Sequence, residues 1–199
     1  MSGTWTSLSP KVWRFFLTIY DGRINPRVWI LAGNESGGHG YDSAPPLFTL
    51  VSSILAALPK DGPPLLAAGG LVTGSQVASL LVLGAAGAVL GTRFLMTPES
   101  LYSDAQKKVL VAAKSDMTVR TLAFDRARGT LGWPEGVDGR GLYNHTVKDV
   151  DDGVDIAIVK EKFEQGVRDG DPSRMLVWSG MGIGLISEIK SAKVCFRSC

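Results

Sequence analysis

His39 is one of only two histidines in this 199-residue chain, and it closes a glycine-rich turn, Gly33-Asn34-Glu35-Ser36-Gly37-Gly38-His39. A histidine titrates near pH 6.5 (about 6.5 in water), so its neutral ring can take a proton from a substrate at physiological pH. Glycine has no Cβ, so backbone at such a turn can come close to a ligand. Two further apolar runs also end in glycine, at Gly69-Gly70 and at Gly91. In a parallel sheet or barrel, the three turns would share the carboxyl edge, where ligands bind. Amides of Gly70, Gly91 and Thr92 could then point at a phosphate. Glu35 could orient His39 or meet substrate, or serve only as an exposed turn carboxylate. His145, in Tyr143-Asn144-His145-Thr146, reads as surface. Asp151, Asp152 and Asp155 read as a solvated helix start, because no further ligand type converges on them.

The elements that must position these residues follow from periodicity. Val28 to Ala32 reads as a buried strand, and Leu47 to Leu58 has helical spacing ending at Pro59. Pro64 to Ala68 is a second strand. A helix runs from about Gly74 to Leu83, with Gly84 as its stop. Ala88 to Leu90 is a third strand. Thr97-Pro98-Glu99 has the residue order of a helix start and predicts a helix to Ala113. Strand–helix alternation with short connections implies parallel strands and right-handed crossovers. The strands are apolar on both faces, as when both are covered. Beyond Lys114 the pattern changes. Arg120 to Asn144 reads as an ordered loop, Val150 to Asp169 as a polar helix, and Leu185 to Ala192 as a last helix. Residues 1–26 show no period.

Composition narrows the class. Apolar residues make up 45 % and charged residues 20 %, ordinary for a globular protein. A net charge of +2 argues against nucleic acid. The 24 glycines exceed the usual share of about 7 %. The two cysteines, Cys195 and Cys199, make no disulfide framework and read as free thiols in a reducing, cytoplasmic setting. Residues 62–92 carry no charge, which is long enough for a membrane span. Pro63-Pro64, Gly69-Gly70 and Gly84 interrupt it, so it divides better into strand, turn, helix and strand, and no membrane partner is expected.

The segments Gly33 to Gly40, Leu66-Ala67-Ala68-Gly69-Gly70-Leu71 and Leu90-Gly91-Thr92-Arg93-Phe94 resemble three signatures of the nitronate monooxygenases. So do Gly132-Trp133-Pro134-Glu135-Gly136 with Asp138-Gly139-Arg140-Gly141, and Trp178-Ser179-Gly180 through Lys190. The resemblance runs from about residue 28 to 194. It implies an FMN-dependent β/α barrel in which His39 removes the proton α to a nitro group. The flavin and dioxygen then convert the nitronate to a carbonyl compound and nitrite. It also implies that Gly37, Gly38, Gly69, Gly70, Val89, Leu90, Gly91 and Thr92 hold FMN, largely through backbone. No metal is implied. Ala32 departs from the family, which usually carries glutamine there.

The expected fold is therefore α/β, a partial eight-stranded barrel holding the last three strand–helix units. Residues 1–26 are unassigned, 27–115 form the barrel part, and 116–199 form a loop and helical extension packed on it. An eight-stranded barrel takes about 250 residues. Three strands cannot close one, so a partner or second copy is expected to complete it. Two other functions stay open: a flavin-dependent enoyl-acyl carrier protein reductase using reduced nicotinamide, and a non-catalytic remnant.

Overall fold

The computed structural model describes residues 28–59 and 62–198. The expectations for residues 1–26 and for Cys199 lie outside the described residues. Three short apolar runs form the expected parallel strands: β1 (Trp29–Ala32), β3 (Leu65–Ala68) and β4 (Gly87–Val89). They lie in the order β1-β3-β4, with Ala32 level with Ala68 and Ala68 level with Val89. Helix α1 (Leu47–Ala57) links the first pair and α2 (Gly74–Leu83) the second.

Both helices cover one face of this sheet. Leu31, Leu65 and Ala67 pack there against Leu50, Val51, Ile54 and Leu80. Helix α2 starts on a capping box: Thr73 Oγ1 accepts from Gln76 N, and the Gln76 side chain accepts from Thr73 N. It ends at Gly84, whose φ of 114° is a left-handed cap that favours glycine. The opposite face holds Ile30, Ala32, Leu66, Ala68 and Val89. Ile30 is 43 % exposed and Val89 38 %. Apolar residues on both faces predict two covered faces; among the described residues only one is covered. The uncovered face is the one that a closed barrel would turn inward.

The segment expected to be a loop is instead structured. Strands β2 (Gly38–Tyr41), β5 (Thr118–Thr121) and β6 (Val137–Leu142) form an antiparallel sheet in the order β2-β6-β5. Glycines hide β6 from sequence reading, but each lies under a close neighbour. A Cβ on Gly139 would overlap the Trp178 ring, and one on Gly141 would sit 2.9 Å from the Val177 carbonyl oxygen. Within the sheet Arg120 Nε donates to Asp138 Oδ1 at 2.6 Å. Since β2 follows β1 directly, this sheet joins residues from both sides of position 115.

The helix expected from Thr97 begins later, as α4 (Asp104–Ala112). Ser103 and Gln106 form its capping box, while Thr97 Oγ1 donates to Phe94 O and closes the preceding turn. That turn follows the short helix α3 (Thr92–Leu95). The single polar helix expected over 150–169 is two: α6 (His145–Asp151) and α7 (Ile156–Asp169). Asn144 caps the first and Asp155 the second, so the side-chain acceptors override continuous helical spacing. With α5 (Ala123–Arg128) they bury Phe124, Val147, Val159 and Phe163. The last helix is α8 (Ala192–Ser198), not Leu185–Ala192; a 3-10 turn spans Met181–Leu185. Arg93, buried at the foot of α3, donates to Cys195 Sγ at 3.1 Å and ties α8 down. Among the described residues no helix is long and apolar enough to cross a membrane.

Candidate functional site

The parallel register brings the carboxyl ends of β1, β3 and β4 to one edge. A cavity of about 320 Å³ opens there. Gly37, Gly38, His39, Gly69, Gly70, Val89, Gly91 and Thr92 all line it, as does Ala32. Leu90 does not. Neighbouring residues of an extended chain face opposite ways, so Val89 and Gly91 face the cavity while Leu90 packs against the apolar core.

The wall is built from backbone. Among the described residues the amides of Gly70, Gly91 and Thr92 have no acceptor. A Cβ on Gly38 or Gly91 would project into open space. Gly70 has φ of +69°, and its Cβ would come 2.9 Å from that of Glu35. A concave wall of unpaired N–H groups suits an anion such as a phosphate. The Thr92 hydroxyl is already used, accepting from Gly180 N at 2.9 Å. This bond seats the Ser179–Gly180 segment against Gly37, where a Cβ would lie 2.6 Å from Gly180 N.

His39 enters from β2. Its Nε2 lies 2.9 Å from Asp125 Oδ2 and 3.1 Å from Oδ1. Trp133 stacks on its ring with centroids 3.9 Å apart at 18°, and Trp178 meets it edge-on at 4.9 Å. Asp125, on α5, is fully buried. Its Oδ1 also accepts from Thr130 Oγ1 at 2.8 Å and from Trp133 Nε1 at 3.2 Å. Trp178 is held in turn by Tyr102, whose hydroxyl accepts from Trp178 N at 2.9 Å and donates to Trp178 O at 3.3 Å. Burial pushes the Tyr102 hydroxyl up to about 12, so it keeps the proton it donates.

Glu35 does not orient His39. Its Oε2 accepts from Leu47 N at 2.8 Å and caps the start of α1. His145 is exposed at the start of α6. Asp152 pairs with Lys148, and Asp155 caps α7. Among the described residues no group of His, Cys, Asp and Glu could hold a metal. Sequence reasoning missed Asp125, Thr130 and Tyr102. Asp125 lies 86 positions from His39 and in a stretch without strand or helix period, so no local signal marked it.

The nitronate monooxygenase profile matches residues 22–197. This chain belongs to the nitronate monooxygenase family. Members of that family are flavin-dependent oxidoreductases, and the match agrees with the signatures at Gly33, Gly69 and Gly91. The chain is 37 % identical over 180 residues to the nitronate monooxygenase npaC of Metarhizium robertsii, covering 86 % of this chain and 50 % of that protein. It thus spans about half the length of the curated relatives it matches. Among solved structures it resembles FabK from Thermotoga maritima, with a TM-score of 0.69 and 28 % identity, over 86 % of this chain and 52 % of FabK. It resembles nitroalkane oxidase from Streptomyces ansochromogenes equally, with a TM-score of 0.69 and 26 % identity, over 86 % of this chain and 50 % of the oxidase.

Proposed function

We propose that this chain carries the flavin-phosphate wall and the base of a nitronate monooxygenase-type enzyme. It would bind FMN and convert alkyl nitronates or nitroalkanes, with dioxygen, to a carbonyl compound and nitrite. What supports this most is one cavity that joins three glycine-ended strands to His39. The amides of Gly70, Gly91 and Thr92 would hold the phosphate of FMN, and Gly37, Gly38, Gly69 and Val89 would shape the wall around it. FMN would supply the electron acceptor for substrate oxidation and the site of reaction with dioxygen. His39 would accept the proton α to the nitro group, and the rings of Trp133 and Trp178 would keep water from it. Because the chain covers about half of its relatives, the remaining β/α units would come from a further polypeptide segment that closes the barrel.

The test is FMN titration followed by nitrite release from the neutral nitroalkane nitroethane, whose α-carbon still carries the proton that His39 would take. It uses the chain alone and the chain supplied with the preceding half of a relative's barrel. The expected result is a bound yellow flavin and nitrite formation. His39→Asn should keep the flavin and lower kcat by about 10²- to 10⁴-fold. Failure to bind flavin in either form overturns the reading, as does nitrite release unaffected by His39→Asn. Oxidation of reduced nicotinamide with an acyl thioester and no nitrite would point to the reductase instead.

A further inference from the structure

We propose that Asp125 is the positioning residue of His39: it holds the imidazole as its Nε2–H tautomer, leaving Nδ1 as the nitrogen that takes the substrate proton. The assignment rests on the reading of His39 as the base and adds to it which nitrogen reacts and what selects that nitrogen.

The hydrogen-bond balance at Asp125 decides the tautomer. Both carboxylate oxygens lie within 3.1 Å of Nε2. The other two groups on the carboxylate, the Thr130 hydroxyl and the Trp133 indole N–H, point to the same Oδ1. An indole N–H can only donate, and an ionised carboxylate can only accept. Against an ionised Asp125, Nε2 therefore carries the proton. In a neutral imidazole the lone pair then sits on Nδ1, which has no partner among the described residues. The ring has little freedom to escape this arrangement. Trp133 covers one face at 3.9 Å, Trp178 closes an edge, and the His39 side chain is 17 % exposed. Once Nδ1 takes a proton, the imidazolium faces a fully buried carboxylate. Base and orienter come from separate elements, β2 and α5, so the pair exists only in the folded chain.

The isosteric change Asp125→Asn reverses the logic. Thr130 and Trp133 still require an acceptor, so the amide oxygen turns toward them. The amide NH₂ then faces Nε2 and forces the ring proton onto Nδ1. The buried orienting aspartate of a serine protease shows this effect when it is changed to asparagine.

Long-range ¹H–¹⁵N correlation of the histidine rings reads the tautomer directly. The chain has only two histidines, and His39→Asn assigns the pair. The wild-type ring of His39 is expected as Nε2–H when neutral. Asp125→Asn is expected as Nδ1–H, with kcat for nitrite release down at least about 100-fold and FMN affinity within about twofold. A wild-type Nδ1–H ring overturns the proposal, and that measurement needs no variant to fold. So does Asp125→Asn with an unchanged tautomer and rate. Thr130→Val leaves the carboxylate and one donor in place. It should keep the Nε2–H tautomer; a flipped ring there would overturn the account of the donors. If His39→Asn retains nitrite release while the tautomers behave as stated, the base assignment fails and the role of Asp125 in orienting the ring stands.

Discussion

Around His39, small side-chain details set the geometry. Trp178 sits in the space that Gly139 leaves open, so Gly139→Ala forces the indole to move. Overpacking of this kind costs about 1–3 kcal/mol. The expected result is a lower unfolding midpoint, a change in tryptophan fluorescence and weaker nitrite release. Unchanged fluorescence would mean that Trp178 does not rest on residue 139. Tyr102 carries a prediction in pH. Its hydroxyl holds its proton up to about 12 in the folded chain, against about 10 when exposed. Between those values the unfolded chain releases a proton that the native chain keeps, so stability is full below about pH 10 and falls as pH rises toward 12. Urea unfolding at pH 9 and pH 11 should show this loss, and Tyr102→Phe should reduce it by about 1 kcal/mol. An equal loss in both proteins would separate Tyr102 from the alkaline transition.

At the scale of elements, the site depends on short connections that hold strand ends together. Thr92, at the start of α3, accepts from Gly180 N and so docks the segment after Trp178 onto the cavity wall. Thr92→Val keeps the shape and removes the acceptor, leaving a buried amide unpaired. That should cost about 1–3 kcal/mol and weaken FMN binding. Denaturation and flavin titration measure the two effects, and a neutral result in both would show the bond to be dispensable. Helix α4 offers a control away from the cavity. Ser103→Ala removes the cap and should cost about 1 kcal/mol without altering flavin affinity. The element most misread from sequence was the antiparallel sheet. Its strand β6 carries Gly139 and Gly141, which read as loop residues but are required by Trp178 and the Val177 carbonyl above them.

For the whole molecule, the parallel sheet divides into a covered and an uncovered face. Leu31 points into the helix-covered core, and its neighbour Ile30 points the other way. Leu31→Ala should cost about 2–5 kcal/mol. Ile30→Thr should cost less than about 1 kcal/mol in the chain alone. Supplying the preceding barrel half should raise the cost of Ile30→Thr, because the face would then be buried. Equal costs in the chain alone would mean that the face is already covered. The chain spans about half of its relatives, and the cavity lies where that uncovered face meets the glycine turns.

The sequence by itself determined the three parallel strands, the helices between them and the glycine-ended edge that carries His39. These are local properties: apolar runs, the Gly84 stop of α2, and glycines placed after strands. It also carried the motifs that mark the family. Only the tertiary structure decided that Leu90 turns away from the cavity, that Glu35 caps a helix, and that Asp125 meets His39. The reason is physical. A strand's phase and a buried carboxylate's partner depend on groups far along the chain, and the spacing of residues within one segment does not encode which distant group will lie within 3 Å.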